Sequence, residues 1–123
     1  PALPALPELP EGAQQLNVAV FFGFNSAELD PSHEALLESL AAYILEQENS
    51  SFVIAGHADA VGSPAYNLLL SQLRASAIKS YLVEDWGIAP DRLEAVGYGE
   101  QRMLTDFAPD APEQRRVAFH MVE

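Results

Sequence analysis

The sequence has no cysteine, so it offers no disulfide framework, no thiol nucleophile and no thiolate metal site. An oxidising compartment permits disulfides without requiring them, so this absence leaves the compartment open. Cations are scarce: 6 Lys and Arg stand against 18 Asp and Glu, a formal net charge of −12. Phosphate binding needs a basic face, so nucleic acid is not an expected partner. No apolar run approaches the ~20 residues that cross a bilayer, so direct membrane insertion by this segment is not expected. There is no internal repeat. The opening residues also lack the charged and continuous apolar regions of a signal peptide.

What is present points to one domain. The 123 residues suit a single core, and a hydrophobic content of 49% is too high for disorder despite the charge. Charge is unevenly placed, because residues 1–73 hold nine acids and no Lys or Arg. The first cation, Arg74, must therefore pair internally or meet an anionic ligand. Pro1, Pro4, Pro7 and Pro10 recur every third residue, a spacing that favours polyproline II over helix. Residues 1–15 are expected to form a semi-rigid proline-rich linker, and residues 16–123 the domain.

Strand and helix alternate through the domain. Leu16–Phe22 is apolar and β-branched, as a buried strand requires. Asp30-Pro31 predicts a helix start, and Leu36, Leu40 and Ile44, with Leu37, Ala41 and Leu45 alongside, predict its apolar stripe to about Glu46. Ser51–Ala55 predicts a second strand. A second helix is expected from about Ala65 to Asp85, burying Tyr66, Leu70, Leu73, Ala77 and Tyr81, with Gly87 as its stop. Leu93–Tyr98 and Arg116–Val122 complete the strands. The expected fold is α/β in the α+β sense, β-α-β-α-β-β, an open mixed four-stranded sheet with helices on one face.

A polar stripe on the second helix carries the chemistry. Asn67, Ser71 and Arg74 stand at i, i+4 and i+7, beside the loop that holds His57 and Asp59. Arg74 can take a carboxylate through parallel N–H bonds, and Asp59 can accept an ammonium. Together they suit the two charges of an amino-acid zwitterion. From spacing alone, an internal Asp59–Arg74 salt bridge with no ligand is the alternative. His57 and Asp59, two residues apart, do not make a metal motif, and no serine–base arrangement is visible. No metal, no cofactor and no enzyme activity are expected. His57 is expected to bond locally and order its loop, Trp86 to cover the core, and Tyr66 and Tyr81 to pack helix against sheet.

Five motifs in order, Phe22–Leu29, Gly56-His-Ala-Asp59 with Gly62-Ser63, Tyr66–Ala75, Gly97–Glu100 and Arg115-Arg116-Val117, resemble the signature of OmpA-like peptidoglycan-binding domains over residues 17–122. The resemblance implies a non-enzymatic module in the Gram-negative periplasm, attached to the outer membrane (the inner membrane is the alternative) through a segment upstream of Pro1. It implies the stem peptide of peptidoglycan as partner, bound through the zwitterionic end of meso-diaminopimelate. By motif position, Asp59 resembles the residue that takes the ammonium and Arg74 the one that takes the carboxylate. Asn25 and Asn67 resemble ligand hydrogen bonders, and Arg115 the arginine at the rim beside the last strand.

The chain departs from that pattern at several positions. Ala58 replaces a usual threonine, Gln114 a usual asparagine and Met103 a common proline, and the 99–115 stretch is about two residues short. These departures support an alternative reading: a periplasmic protein-interaction module on the same fold with weakened wall binding.

Overall fold

In a computed structural model, which describes residues 8–123, β1 spans Gln14–Phe21, α1 Glu34–Glu46, β2 Ser51–Gly56, α2 Pro64–Trp86, β3 Leu93–Gly97 and β4 Arg116–Val122. Most of the proline-rich stretch, residues 1–7, lies outside the described residues. The sheet order is β1-β4-β2-β3, with β2 and β3 parallel and β4 antiparallel to both its neighbours. This is the expected mixed four-stranded α+β architecture. No helix among the described residues is long and apolar enough to cross a membrane.

Helix starts follow local capping chemistry. Asp30 caps a short 3-10 turn, Pro31–His33, that leads into α1, and its carboxylate accepts from the Ser32 N–H at 2.8 Å. The His33 Nδ1 accepts from the Asp30 N–H at 3.1 Å, and its Nε2 lies 2.7 Å from the Phe21 carbonyl, which ties the helix entry to the end of β1. Ser63 caps α2 by accepting from the Tyr66 N–H, and Gly87 ends it at φ 67°.

The core lies between the helices and one face of the sheet. Phe52 and Ile54 of β2 and Val117, Phe119 and Met121 of β4 meet Leu37, Leu40, Ala41 and Ile44 of α1 and Ala75, Ile78 and Leu82 of α2. The α1 stripe buries Leu37, Leu40, Ala41 and Ile44 as expected, whereas the α2 stripe differs in phase. Leu36 and Leu45 of α1 are exposed, and so are Tyr66 and Leu73 of α2. The buried face of α2 instead runs Asn67, Leu70, Ser71, Arg74, Ala75, Ile78, Leu82. The polar stripe and the buried stripe are thus one face, polar over the first half and apolar over the second. Two glycines paired in register, Gly56 and Gly97, let that face approach: a Cβ at Gly56 would stand 1.9 Å from the Ser71 carbonyl oxygen. Trp86 and Tyr81 pack against the core as expected, joined by a 2.9 Å bond from the Trp86 Nε1–H to the Tyr81 hydroxyl.

Candidate functional site

Strand register gathers the functional loops at one end of the sheet. Phe21, the last residue of β1, pairs with Arg116, the first of β4, while Gly56 at the end of β2 pairs with Val117. The loop after β1, the loop after β2, the irregular 98–115 segment and the first turns of α2 therefore share one rim. Between them lies a cavity of about 260 Å³. Asn25, Asp59, Asn67, Arg74 and Arg115, the five sequence-predicted residues, all line it, together with Phe24, Val61, Gly62, Tyr66 and Leu70.

Arg74 is completely buried, and its guanidinium is held by backbone rather than by acid. Nε donates to the Ser26 carbonyl at 2.8 Å, Nη1 to the His57 carbonyl at 3.0 Å and Nη2 to the Gly23 carbonyl at 3.1 Å. The Phe22 ring lies 5.5 Å from its Cζ. Burial pulls its proton affinity down to about 10, partly offset by the nearby Asp59 charge, so it stays cationic at neutral pH. A guanidinium has five N–H groups. Three are committed here, which leaves one on each terminal nitrogen for a guest.

Asp59 does not pair with Arg74, so the internal salt bridge left open by spacing is not what forms. Its Oδ1 accepts from the Val61 N–H at 3.1 Å, and its Oδ2 lies 3.5 Å from Arg115 Nη1. Arg115 is anchored in turn by Nε donating to the Phe22 carbonyl at 3.1 Å. The carboxylate and the buried guanidinium thus stand in one cavity without neutralising each other.

The two asparagines serve different ends. Asn67 donates through Nδ2 to the Asp59 and Val61 carbonyls, both at 3.1 Å, so its amide shapes the loop and only Oδ1 remains open. Asn25 takes a left-handed backbone, φ 55°, and its side-chain oxygen accepts from the Tyr66 hydroxyl. Tyr66 is therefore a rim residue, 45% exposed, and not the helix-to-sheet packer expected from its spacing. Sequence reasoning missed this role, because a tyrosine at an apolar position of a helix gives no sign of which surface it meets.

His57 also departs from expectation. Its backbone orders the loop, with N–H donating to the Arg116 carbonyl at 2.8 Å and C=O accepting from Arg74. Its ring does not: it stacks on Tyr98, centroids 5.6 Å apart, and its buried Nδ1 has no hydrogen-bond partner among the described residues. Gln114, one of the departures from the family pattern, is buried and stitches the irregular segment. Its Oε1 accepts from the Leu104 N–H at 2.8 Å, and its Nε2 faces the Leu104, Phe107 and Ala108 carbonyls. The longer side chain still closes the segment that presents Arg115. Nothing in the structure explains Met103.

The OmpA family profile matches residues 21–116. The chain is 38% identical over 97 residues to outer membrane porin F of Pseudomonas fluorescens, covering 79% of this chain and 29% of the porin. It is 41% identical over 88 residues to outer membrane protein A of Yersinia pseudotuberculosis, covering 70% of this chain and 25% of that protein. It therefore spans less than a third of the length of these relatives. Among solved structures, the peptidoglycan-associated lipoprotein of Burkholderia pseudomallei superposes with a TM-score of 0.75 at 28% identity, covering 85% of this chain and 89% of the other. The OmpA-like domain of FopA1 from Francisella tularensis shares the fold, with a TM-score of 0.77 at 21% identity over 89% of this chain and 78% of the other.

Proposed function

The chain belongs to the OmpA family, and from that premise and the pocket we propose that it binds the peptidoglycan stem peptide through the zwitterionic end of meso-diaminopimelate, tethering an envelope protein to the wall. One observation carries the reading: a buried cation and a nearly buried anion line one small cavity yet are not paired with each other. Such an arrangement leaves a negative and a positive group for a guest that brings both. The ligand carboxylate takes the two uncommitted N–H groups of Arg74. The ligand ammonium takes Asp59, sharing it with or displacing Arg115. Asn25 and the Asn67 oxygen fix orientation at the rim. A lysine-type stem lacks the second carboxylate, so binding it leaves Arg74 desolvated and unmatched. The larger protein's place in the envelope, at the outer membrane facing the periplasm, follows the same reading, since the relatives named above are outer-membrane proteins and a peptidoglycan-associated lipoprotein.

Isothermal titration with a diaminopimelate muropeptide tests this. Asp59→Asn keeps the side-chain oxygen that accepts from Val61 and removes the charge together with its 3.5 Å pairing to Arg115. Loss of one charge-assisted bond, about 1.5–3 kcal/mol, should weaken binding about 10- to 150-fold without unfolding the domain. Equal affinity for the lysine-type muropeptide, or normal binding by Asp59→Asn, refutes the zwitterion clamp. Retention of a periplasmic protein by a chain that fails to bind sacculi would favour the interaction module instead.

A further inference from the structure

The face of the sheet turned away from the helices holds four basic side chains that the wall-binding pocket does not use. Arg116 and His120 alternate along β4 with Val117, Phe119 and Met121, which face the helices, so both point to the opposite side. His57 lies beside Arg116, joined to it by the 2.8 Å backbone bond, and stacks on Tyr98 at the end of β3. Arg102 covers Tyr98, with its Cζ 4.6 Å from the ring centroid, and its carbonyl accepts from Arg116 Nη2 at 3.3 Å.

The two arginines of this face differ from the other three in how they are satisfied. Arg74 has three backbone carbonyls, Arg92 has those of Ile44, Gln47 and Ser50, and Arg115 has Asp59. Neither Arg102 nor Arg116 makes an ion pair among the described residues, although the chain has 18 acids. Arg116 makes only two long contacts, 3.3 and 3.4 Å, to carbonyls, and the Arg102 guanidinium makes no hydrogen bond among the described residues. Residues 1–7 contain no Asp or Glu that could supply a counter-charge. Glu94 is close enough to act on Tyr98 but pairs with neither arginine. His57 is only 5% exposed, and its Nδ1 is enclosed without a partner among the described residues.

We propose that this face is a second binding site, for a small oxyanion of the phosphate or carboxylate class, held by Arg116 and His57 and closed by Arg102 with His120. Arg116 is a buried cation with no acid beside it, and an anion with several acceptor oxygens supplies the counter-charge and satisfies the idle donors. Burial first, then the charges of Arg116, His120 and Arg102, hold His57 neutral, in keeping with a cluster that lacks its counter-ion. The ligand is small because Arg116 and His120 are each only 8% exposed, and Arg102 is the exposed member of the cluster.

The test is a titration of the isotopically labelled chain at neutral pH, following amide shifts, with inorganic phosphate, acetate and chloride at matched ionic strength. Saturable shifts at His57, Tyr98 and Arg116 are expected with phosphate, acetate or both, and not with chloride. A phosphate-only response assigns a phosphoryl ligand, and an acetate-only response a carboxylate. Arg102→Gln, a change at an exposed side chain, should weaken the response about tenfold, the loss of one charge-assisted contact. Asp59→Asn should leave it unchanged, so failure here is distinguishable from failure of the wall-binding reading. A response to chloride equal to that of the oxyanions, or undiminished affinity in Arg102→Gln, overturns the proposal.

Discussion

Replacing Arg74 by methionine should destabilise the domain before any ligand is considered. Methionine keeps much of the aliphatic volume and removes every N–H group. Three buried contacts vanish, to the carbonyls of Gly23, Ser26 and His57, at 2.8–3.1 Å. A hydrogen bond from a charged donor is worth about 1.5–3 kcal/mol, so even the lower bound sums to roughly 4–5 kcal/mol. That is a large share of the ~5–15 kcal/mol that holds a typical domain. At about 4 °C per kcal/mol for a chain of this size, the midpoint should fall by some 15 °C or more in a thermal melt followed by circular dichroism. The loss is structural because the three carbonyls belong to the loops after β1 and β2, and this one side chain ties both loops to α2. A binding assay on an Arg74 truncation would therefore mix loss of fold with loss of contact, whereas Asp59→Asn isolates the contact. A melt of Arg74→Met within 3 °C of the parent would refute the view that the cation is a fastener as well as a ligand group.

Gly56→Ala should be among the most damaging small substitutions, since its Cβ would stand 1.9 Å from the Ser71 carbonyl oxygen and 3.4 Å from the Ala75 Cβ. Moving α2 outward to relieve that overlap should cost about 1–3 kcal/mol or more, read as a lower urea midpoint with the slope unchanged. Burial and neighbouring cations hold His57 at about 3 against an ordinary 6.5. The unfolded chain therefore binds the extra proton between those values, and stability present above pH 6.5 is lost as pH falls. From pH 7.5 to pH 5 the loss from this group is about 2 kcal/mol. Urea titrations should show that dependence reduced in His57→Phe, which keeps the stacking on Tyr98 but cannot titrate. An unchanged slope would contradict the assignment.

Period and punctuation in the sequence made the elements legible. Asp30-Pro31 and Gly87 mark helix ends through groups that act within four residues, so their effect does not depend on the rest of the fold. The strand Arg116–Val122 is bounded as expected, because an apolar run between turn residues has few other uses. Helix phase was less legible. Tyr66 and Leu73 read as core by spacing, yet they face outward, because Gly56 and Gly97 draw the Asn67–Ser71–Arg74 side of α2 against the sheet.

The site divides along the same line. That an aspartate, an arginine and two asparagines would share one site is an expectation from side-chain chemistry and from the resemblance of short motifs to the family, and the fold brings all of them to one cavity. How each is occupied depended on contacts between residues dozens of positions apart. Arg74 reaches the carbonyls of Gly23 and Ser26, and Arg115 rather than Arg74 stands beside Asp59. A side chain's donors are written in its chemistry, but the acceptors that reach it are set by strand register and loop path. For this chain the sequence by itself determined which charges exist and where its helices begin. Only the tertiary structure decided which charges are satisfied within the chain and which are not.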